Sequence, residues 1–226
     1  MIFKQLFDTK SSTYTYIISS GQGREALIID PVIENVDDYL DVLRILDLKL
    51  VKVIDTHIHA DHITGASKLK QATSCITLMG EHSPAETVEI KVKDEEIIKL
   101  DQLEIKALHT PGHTSDSFSF LMNNYLFSGD TLLINGTGRT DFQNGNAKDA
   151  YNSIFNRLLK LPEETILYPG HDYNGKKTST IGKEKRFNPR LQVNSVSEYE
   201  EIMNNLNLPK PKLMDINIPR NIKLGA

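Results

Sequence analysis

The segment Thr56-His57-Ile58-His59-Ala60-Asp61-His62 sets three imidazoles and a carboxylate within six positions, in a chain with only seven histidines. Further donors follow in Thr110-Pro111-Gly112-His113, in Gly129-Asp130 and in Pro169-Gly170-His171. Each closes an apolar run. His57, His59, Asp61, His62, His113, Asp130 and His171 form a set of nitrogen and oxygen donors without a thiolate, which suits zinc, iron or manganese. A lone histidine is seldom a ligand. Five of the seven histidines standing beside Asp, Gly or Pro at the ends of apolar runs argue for a metal site.

Two chemistries fit these residue types. The whole set could hold two metal ions bridging a hydroxide, because a metal-bound water with its pKa lowered to about 7 attacks a carbonyl. Alternatively, two imidazoles and one carboxylate could hold a single iron(II) with three open positions, where oxygen and substrate bind side by side. Spacing alone does not choose between them.

The elements that must position these donors follow from hydrophobic patterning. LVKVIDT reads as a strand that delivers His57 at its C-terminal end. In extended backbone His57 and His59, two apart, leave the same face, and Asp61 and His62 follow on a turn. Pro-Gly turns before His113 and His171 expose those imidazoles. Alternation in IFKQLF and TYTYIIS predicts antiparallel strands, with a glycine turn at Gly21-Gln22-Gly23 before the apolar run EALIIDP. That glycine stretch precedes a strand, so it reads as a hairpin turn and not a dinucleotide loop. Val36, Leu40, Leu43 and Leu46 share a helical stripe over residues 36–48, with Asp37 and Asp38 near its positive end. Helices are also predicted over about 63–71 and over 147–161, where Ala150, Ile154, Leu158 and Leu161 share a face. Strands are predicted at CITLM, TVEIKV, EIIKL, LEIKALH, SFSFLM, NYLFSGD and TILYPG, with Asn123-Asn124 as a turn. Two strand-rich halves, each followed by helices, imply an α/β fold of two sheets face to face with helices outside, a four-layer αββα sandwich.

The chain reads as a single domain over 1–226, with 175–226 as a short C-terminal appendage packed on the core. That tail carries a basic patch (Lys183, Lys185, Arg186) and one helical stretch near Ser195 to Leu206, and it is broken at Asn188-Pro189 and at Pro209 to Pro211.

The chain's 226 residues are 39% hydrophobic and 25% charged, the make-up of a soluble globular protein. A net charge of -4 gives no electrostatic reason to expect nucleic acid or an anionic membrane as partner. No apolar run approaches the roughly 20 residues that cross a bilayer. MIFKQLFDTK alternates and lacks the apolar centre of a signal peptide, so the expected location is cytoplasmic. The single cysteine, Cys75, permits no internal disulfide and reads as a core residue in SCITLMG. His82 reads as a cap or surface residue and His109 as a structural one.

The motif His57-x-His59-x-Asp61-His62, with His113, Asp130 and His171, is similar to that of the metallo-beta-lactamase superfamily, which implies the αββα sandwich with its metals at one sheet edge. Beyond the donors, GDTLLINGTGRTDFQNG, YPGHDYNG, TSTIGKEKRFNPRL and MNNLNLPKPKLMDINIP resemble the persulfide dioxygenase family through nearly the whole chain. Glyoxalase II, a two-zinc thioester hydrolase, shares the ligand set. It normally carries a bulky aromatic pair where Thr140-Asp141-Phe142 follows Arg139 here, and a longer helical C-terminal domain.

The persulfide dioxygenase resemblance implies one iron(II) per chain on His57, His113 and Asp130, where the rival scheme would use two zinc ions. It makes His59, Asp61, His62 and His171 the groups that orient those ligands and hydrogen-bond what the iron binds. It implies a low-molecular-weight thiol persulfide, such as glutathione persulfide, and O2 as substrates; a homodimer is common among relatives, but the sequence by itself does not give the oligomeric state. Arg139 is the candidate for an anionic part of the substrate or for bracing the pocket, with an ion pair to Asp141 or Asp172 as the alternative. Tyr173 is the candidate hydroxyl donor to substrate, and Asp172 the candidate support for a site histidine or for Arg139.

Overall fold

The computed structural model describes residues 1–226. The chain opens with β1 (Ile2–Asp8), β2 (Thr13–Ser19) and β3 (Glu25–Ile29), then α1 (Val36–Ile45), β4 (Lys49–Ile54), α2 (Ala66–Thr73), β5 (Ile76–Gly80) and β6 (Ile90–Val92). These six strands form one sheet in sequence order, antiparallel from β1 to β3 and parallel from β3 to β6. The second half supplies β7 (Ile97–Leu100), β8 (Leu103–His109), β9 (Phe118–Met122), β10 (Tyr125–Gly129), a small ribbon of β11 (Leu132–Leu133) and β12 (Gly136–Thr137), α3 (Ala147–Phe155), β13 (Ile166–Pro169), β14 (Ser179–Thr180), α4 (Ile181–Phe187), α5 (Val196–Asn204) and α6 (Met214–Asn221). Its main sheet has the order β14-β13-β10-β9-β8-β7, and β10 and β13 run parallel.

The two sheets bury one core between them. Tyr16, Ile18, Leu27, Ile29 and Ile54 of the first meet Ile105, Phe118, Phe120, Phe127 and Tyr168 of the second. Each such apolar side chain, removed from water, contributes roughly 1.5–3 kcal/mol. Phe3 and Tyr168 pack with ring centroids 4.8 Å apart, and Tyr16 and Phe127 at 5.0 Å, within the range of favourable aromatic contact. Two further clusters cover the outer faces. Val36, Tyr39, Leu43, Ala66 and Leu69 of α1 and α2 pack on Ile17, Ile28 and Val53. Ala150, Ile154, Ile181, Tyr199 and Met203 of α3, α4 and α5 pack on Leu108, Leu126 and Leu167. The molecule is the expected αββα sandwich.

The differences from the sequence reading have specific structural causes. α2 starts at Ala66 and not near Ile63, because the backbone just before it is committed elsewhere. The Ile63 carbonyl accepts from the Ile33 amide, the Thr64 amide donates to Asn221, and the Gly65 amide donates to the Pro31 carbonyl. The helix predicted over 147–161 ends at Phe155, and a 3-10 turn at Leu158–Lys160 returns Leu158 to the same core. The tail holds α4 and α6 besides α5, and β14 extends the second sheet by pairing with β13. α6 carries an internal Pro219, which reads as a helix breaker, so patterning did not mark it.

The C-terminal ends of the parallel strands β3, β4, β10 and β13 lie at one edge of the sandwich. Side chains from adjoining loops can converge at such an edge, and open parallel sheets place their ligands there. The donors gather at this edge.

Candidate metal centre

His57, His59, Asp61 and His62 sit on the irregular loop that follows β4, not on extended strand. His113 lies on the loop joining β8 to β9, Asp130 follows β10, and His171 follows β13. Two glycines make these approaches possible. Gly112 has φ +143°, and a Cβ there would meet the Ala150 backbone at 2.3 Å. A Cβ on Gly170 would stand 2.7 Å from Asp130 Oδ1.

His57, His113 and Asp130 each offer one donor atom, and these atoms lie within 4.8 Å of one another. Their other polar atoms are tied to the protein. Thr56 Oγ1 donates to Asp30 Oδ2 at 3.0 Å, so it accepts from His57 Nδ1 at 2.9 Å and leaves the Nε2 lone pair free. His113 Nδ1 donates to the Arg139 carbonyl at 2.7 Å, and its Nε2 lies 3.6 Å from Asp130 Oδ2. Asp130 Oδ1 accepts from His171 Nδ1 at 2.6 Å, which leaves Oδ2. Hydrogen bonds of this kind fix the tautomer and direction of metal ligands.

The remaining donors form a hydrogen-bonded support. Asp61 Oδ2 accepts from His62 Nδ1 at 2.8 Å, His171 Nε2 at 2.9 Å and Thr13 Oγ1 at 3.2 Å. His171 therefore donates from both nitrogens, to Asp130 and to Asp61, and is an imidazolium between two carboxylates. Burial alone would lower its pKa, but Asp130 and Asp61 outweigh burial and hold it well above the usual histidine value. Burial would raise Asp130, but the charge and hydrogen bond of His171, with His113 and His57 adding, hold it well below the carboxylate range. Burial, then the neighbouring His59 and His113, pushes His57 well below its usual value and keeps it neutral, the form that ligates. Behind the site, burial raises the Asp55 carboxyl to about 7, with His59 opposing.

His59 Nε2 lies 3.2 Å from Asp30 Oδ1, while His59 Nδ1 and His62 Nε2 are buried without a protein partner. Buried polar atoms left unpaired call for a bound ion or water. The three free donors of His57, His113 and Asp130, two nitrogens and one oxygen, fit a mononuclear iron(II) site of the two-histidine, one-carboxylate type, while the orphan atoms belong to a neighbouring group, His59, Asp61 and His62, whose donor atoms also lie within 4.8 Å of one another.

The structure brings the whole donor set together and gives the flanking candidates specific positions. The Arg139 guanidinium holds Asp141 through Nε at 2.6 Å and Nη2 at 2.7 Å, and donates to the carbonyls of Pro209 and Leu208. Its contact with the metal centre is its own carbonyl, on His113. Asp172 does not support Arg139 or a histidine. Its Oδ2 accepts from the amides of Asn174 and Lys176 and shapes the turn after His171, because the chain reverses there. Tyr173 is 70% exposed, with its ring parallel to His171 at 6.1 Å. Cys75 is buried in the core, and His82 and His109 stack on each other at 4.2 Å.

Sequence reading missed Thr13, Asp30 and Thr56, all buried in the site. Asp30 had a signal, a carboxylate closing the apolar run before Pro31. Thr13 and Thr56 had none, because a threonine in or beside a strand is ordinary.

A cavity of about 910 Å³ opens on the centre, and its lining includes Asp61, His113, Asp130 and His171, the apolar Leu133 and Leu213, and the cations Lys10, Arg190 and Lys212. None of those three cations is in an ion pair, and the basic patch Lys183, Lys185 and Arg186 does not line the cavity.

Fold and site together define a metal-dependent enzyme on the metallo-beta-lactamase scaffold. The model of the metallo-beta-lactamase superfamily matches residues 8–171. The mouse persulfide dioxygenase ETHE1, mitochondrial, is 39% identical over 229 residues, covering all of this chain and 89% of the relative. The human counterpart is 38% identical with the same coverage. The crystal structure of ETHE1 from Myxococcus xanthus superposes with a TM-score of 0.98 at 47% identity, covering 100% of both chains. The chain belongs to the metallo-beta-lactamase superfamily and, within it, to the persulfide dioxygenase family.

One expectation is overturned. The mouse and human relatives are named as mitochondrial, against the cytoplasmic location read from the N-terminal segment. Charge and hydropathy report only that a chain dissolves in water, and a mitochondrial enzyme meets the same requirement.

Proposed function

We propose that this chain is an iron(II)-dependent persulfide dioxygenase acting on glutathione persulfide or a related low-molecular-weight thiol persulfide. The overall reaction is RSSH + O2 + H2O giving RSH, sulfite and two protons. The sulfane sulfur loses four electrons to dioxygen, both atoms of dioxygen pass to it, and water supplies the third oxygen as the S–S bond breaks.

The observation that carries this reading is the division of the donors. His57, His113 and Asp130 keep free donor atoms toward a common point, while Asp61 bonds His62 Nδ1 and His171, and only His59 Nδ1 and His62 Nε2 stay unpaired beside them. His57, His113 and Asp130 would hold the iron. Bound iron(II) would supply open coordination positions at which dioxygen is activated beside the sulfur, the four electrons coming from the sulfur itself. His171 holds Asp130 in one orientation and balances its charge, and Asp61 holds His171. Tyr173 presents its hydroxyl to the substrate from the cavity wall. Lys10, Arg190 and Lys212 attract the carboxylates of a glutathione-like substrate into the cavity.

A metal count on anaerobically purified protein, followed by oxygen uptake, tests the reading. One iron per chain, with uptake on adding glutathione persulfide, supports it. Two zinc ions with rapid cleavage of S-lactoylglutathione would replace it with a thioester hydrolase. Arg190, half-buried with its guanidinium on the Thr137 carbonyl, is the best-fixed of the three cations. Arg190→Ala is expected to raise KM about tenfold, roughly 1.4 kcal/mol, and to change kcat less than twofold. Steady-state kinetics check this, and a loss confined to kcat would remove Arg190 from substrate binding.

A further inference from the structure

We propose that Asn221, on the C-terminal helix α6, is a positioning residue for the metal centre. Its Nδ2 donates to the carbonyls of His59 and His62, each at 2.8 Å, and its Oδ1 accepts from the Thr64 amide at 3.0 Å. One turn earlier, Asn217 Nδ2 donates to the Ala60 carbonyl at 3.0 Å. Both asparagines are 2% exposed. The amide of Asn221 has only one orientation that works, because a flip would set oxygen against two carbonyls and nitrogen against an N–H.

The need for these contacts follows from the loop they hold. Residues 55–63 belong to no helix or strand, since successive side chains could not otherwise converge on one point. Their carbonyls therefore lack ladder partners, and a buried carbonyl left unpaired is costly. Side-chain amides from distant parts of the chain fill the gap, Gln143 on the Ile58 carbonyl and the two asparagines on the next positions. The residues that Asn221 and Asn217 span include His59, Asp61 and His62. Asp61 holds His171, and His171 holds Asp130. A shift of this loop thus passes through a chain of hydrogen bonds to a metal ligand. The tail around α6 is itself anchored, with the Leu224 carbonyl accepting from the Ser67 amide and the Leu224 side chain buried in the core.

The inference rests on the reading that this loop belongs to the metal centre, and its test needs only metal binding. Cobalt(II) is the probe, with its dissociation constant taken from chelator competition and its visible spectrum recorded on the folded protein. Asn221→Asp keeps shape and acceptor but loses both donors, and Asn221→Leu loses all three bonds. Both are expected to bind cobalt about 10–100-fold more weakly, with altered visible bands. Asn217→Ala is expected to shift both readouts in the same direction by less. Leu43→Ala, a cavity in the outer face of the first sheet, is the control, expected to melt earlier while binding cobalt like the parent. Cobalt affinity within twofold of the parent and superimposable spectra in the Asn221 variants would overturn the proposal, even with a lowered melting temperature. If neither Asn221 variant folds, Asn217→Ala decides by the same criteria. A parent protein that binds cobalt but, loaded with iron, consumes no oxygen with persulfide would defeat the functional reading and leave this one standing.

Discussion

Asp130→Ala is expected to remain folded and to lose its iron. The substitution removes the one anionic group of the proposed ligand set, whose other two donors are imidazoles. It also removes one of the two carboxylates that hold the His171 imidazolium. Changes around a ligand cost about 10–100-fold in metal affinity, so loss of the ligand itself should cost 100-fold or more, roughly 3 kcal/mol. Asp130 lies at the end of β10, outside the apolar clusters, and alanine fits its space, so the fold should survive. Iron content after desalting, with circular dichroism as the check on folding, measures the effect. Stoichiometric iron in this variant would show that the carboxylate is not a ligand. Asp130→Asn is a useful companion, because it can keep the hydrogen bond from His171 Nδ1 while discarding the charge. Its iron content separates the electrostatic contribution from the geometric one.

His171→Leu should have the second largest effect, of a different kind. The imidazolium lies between Asp130 and Asp61, and leucine leaves those carboxylates facing each other with no cation between them. Breaking a buried charge pair from one side typically costs about 3 kcal/mol of stability, and Asp130 loses the bond that aims it. Turnover with persulfide should fall about 100-fold, while iron content, with all three proposed ligands still present, should fall less. Oxygen-uptake rates normalised to bound iron measure this. An unchanged rate per iron would reduce His171 to a structural role. His171→Gln, which can donate to one carboxylate but not to both, should fall between leucine and the parent.

The metal centre was more legible in the sequence than the frame that holds it. Donor residues cluster in short motifs because each comes from a single loop, and a loop is contiguous in sequence. Strands were legible for a similar reason, since the alternation of IFKQLF and the apolar run of EALIIDP are local consequences of which face is buried. Helix ends were less so. The start of α2 is decided by what the Ile63–Gly65 backbone bonds in α1's approach and in α6, and none of those partners is near in sequence. Arg139 illustrates the same limit. Its type and position mark it as a candidate for an anion, but Asp141 and the Leu208–Pro209 carbonyls occupy the guanidinium once the tail folds over it. Arg190, inside the quoted TSTIGKEKRFNPRL stretch but not singled out there as a binding residue, lines the cavity without an ion-pair partner.

The sequence alone determined the identity of the donors and the layered architecture, because hydrophobic period and ligand chemistry are properties of residues and their near neighbours. Only the tertiary structure decided which donors keep a free lone pair. That depends on Thr56 meeting Asp30, on His113 meeting the Arg139 carbonyl, and on His171 bridging Asp61 and Asp130. These partners lie far apart along the chain, and a hydrogen bond between them exists only where folding brings donor and acceptor within about 3 Å.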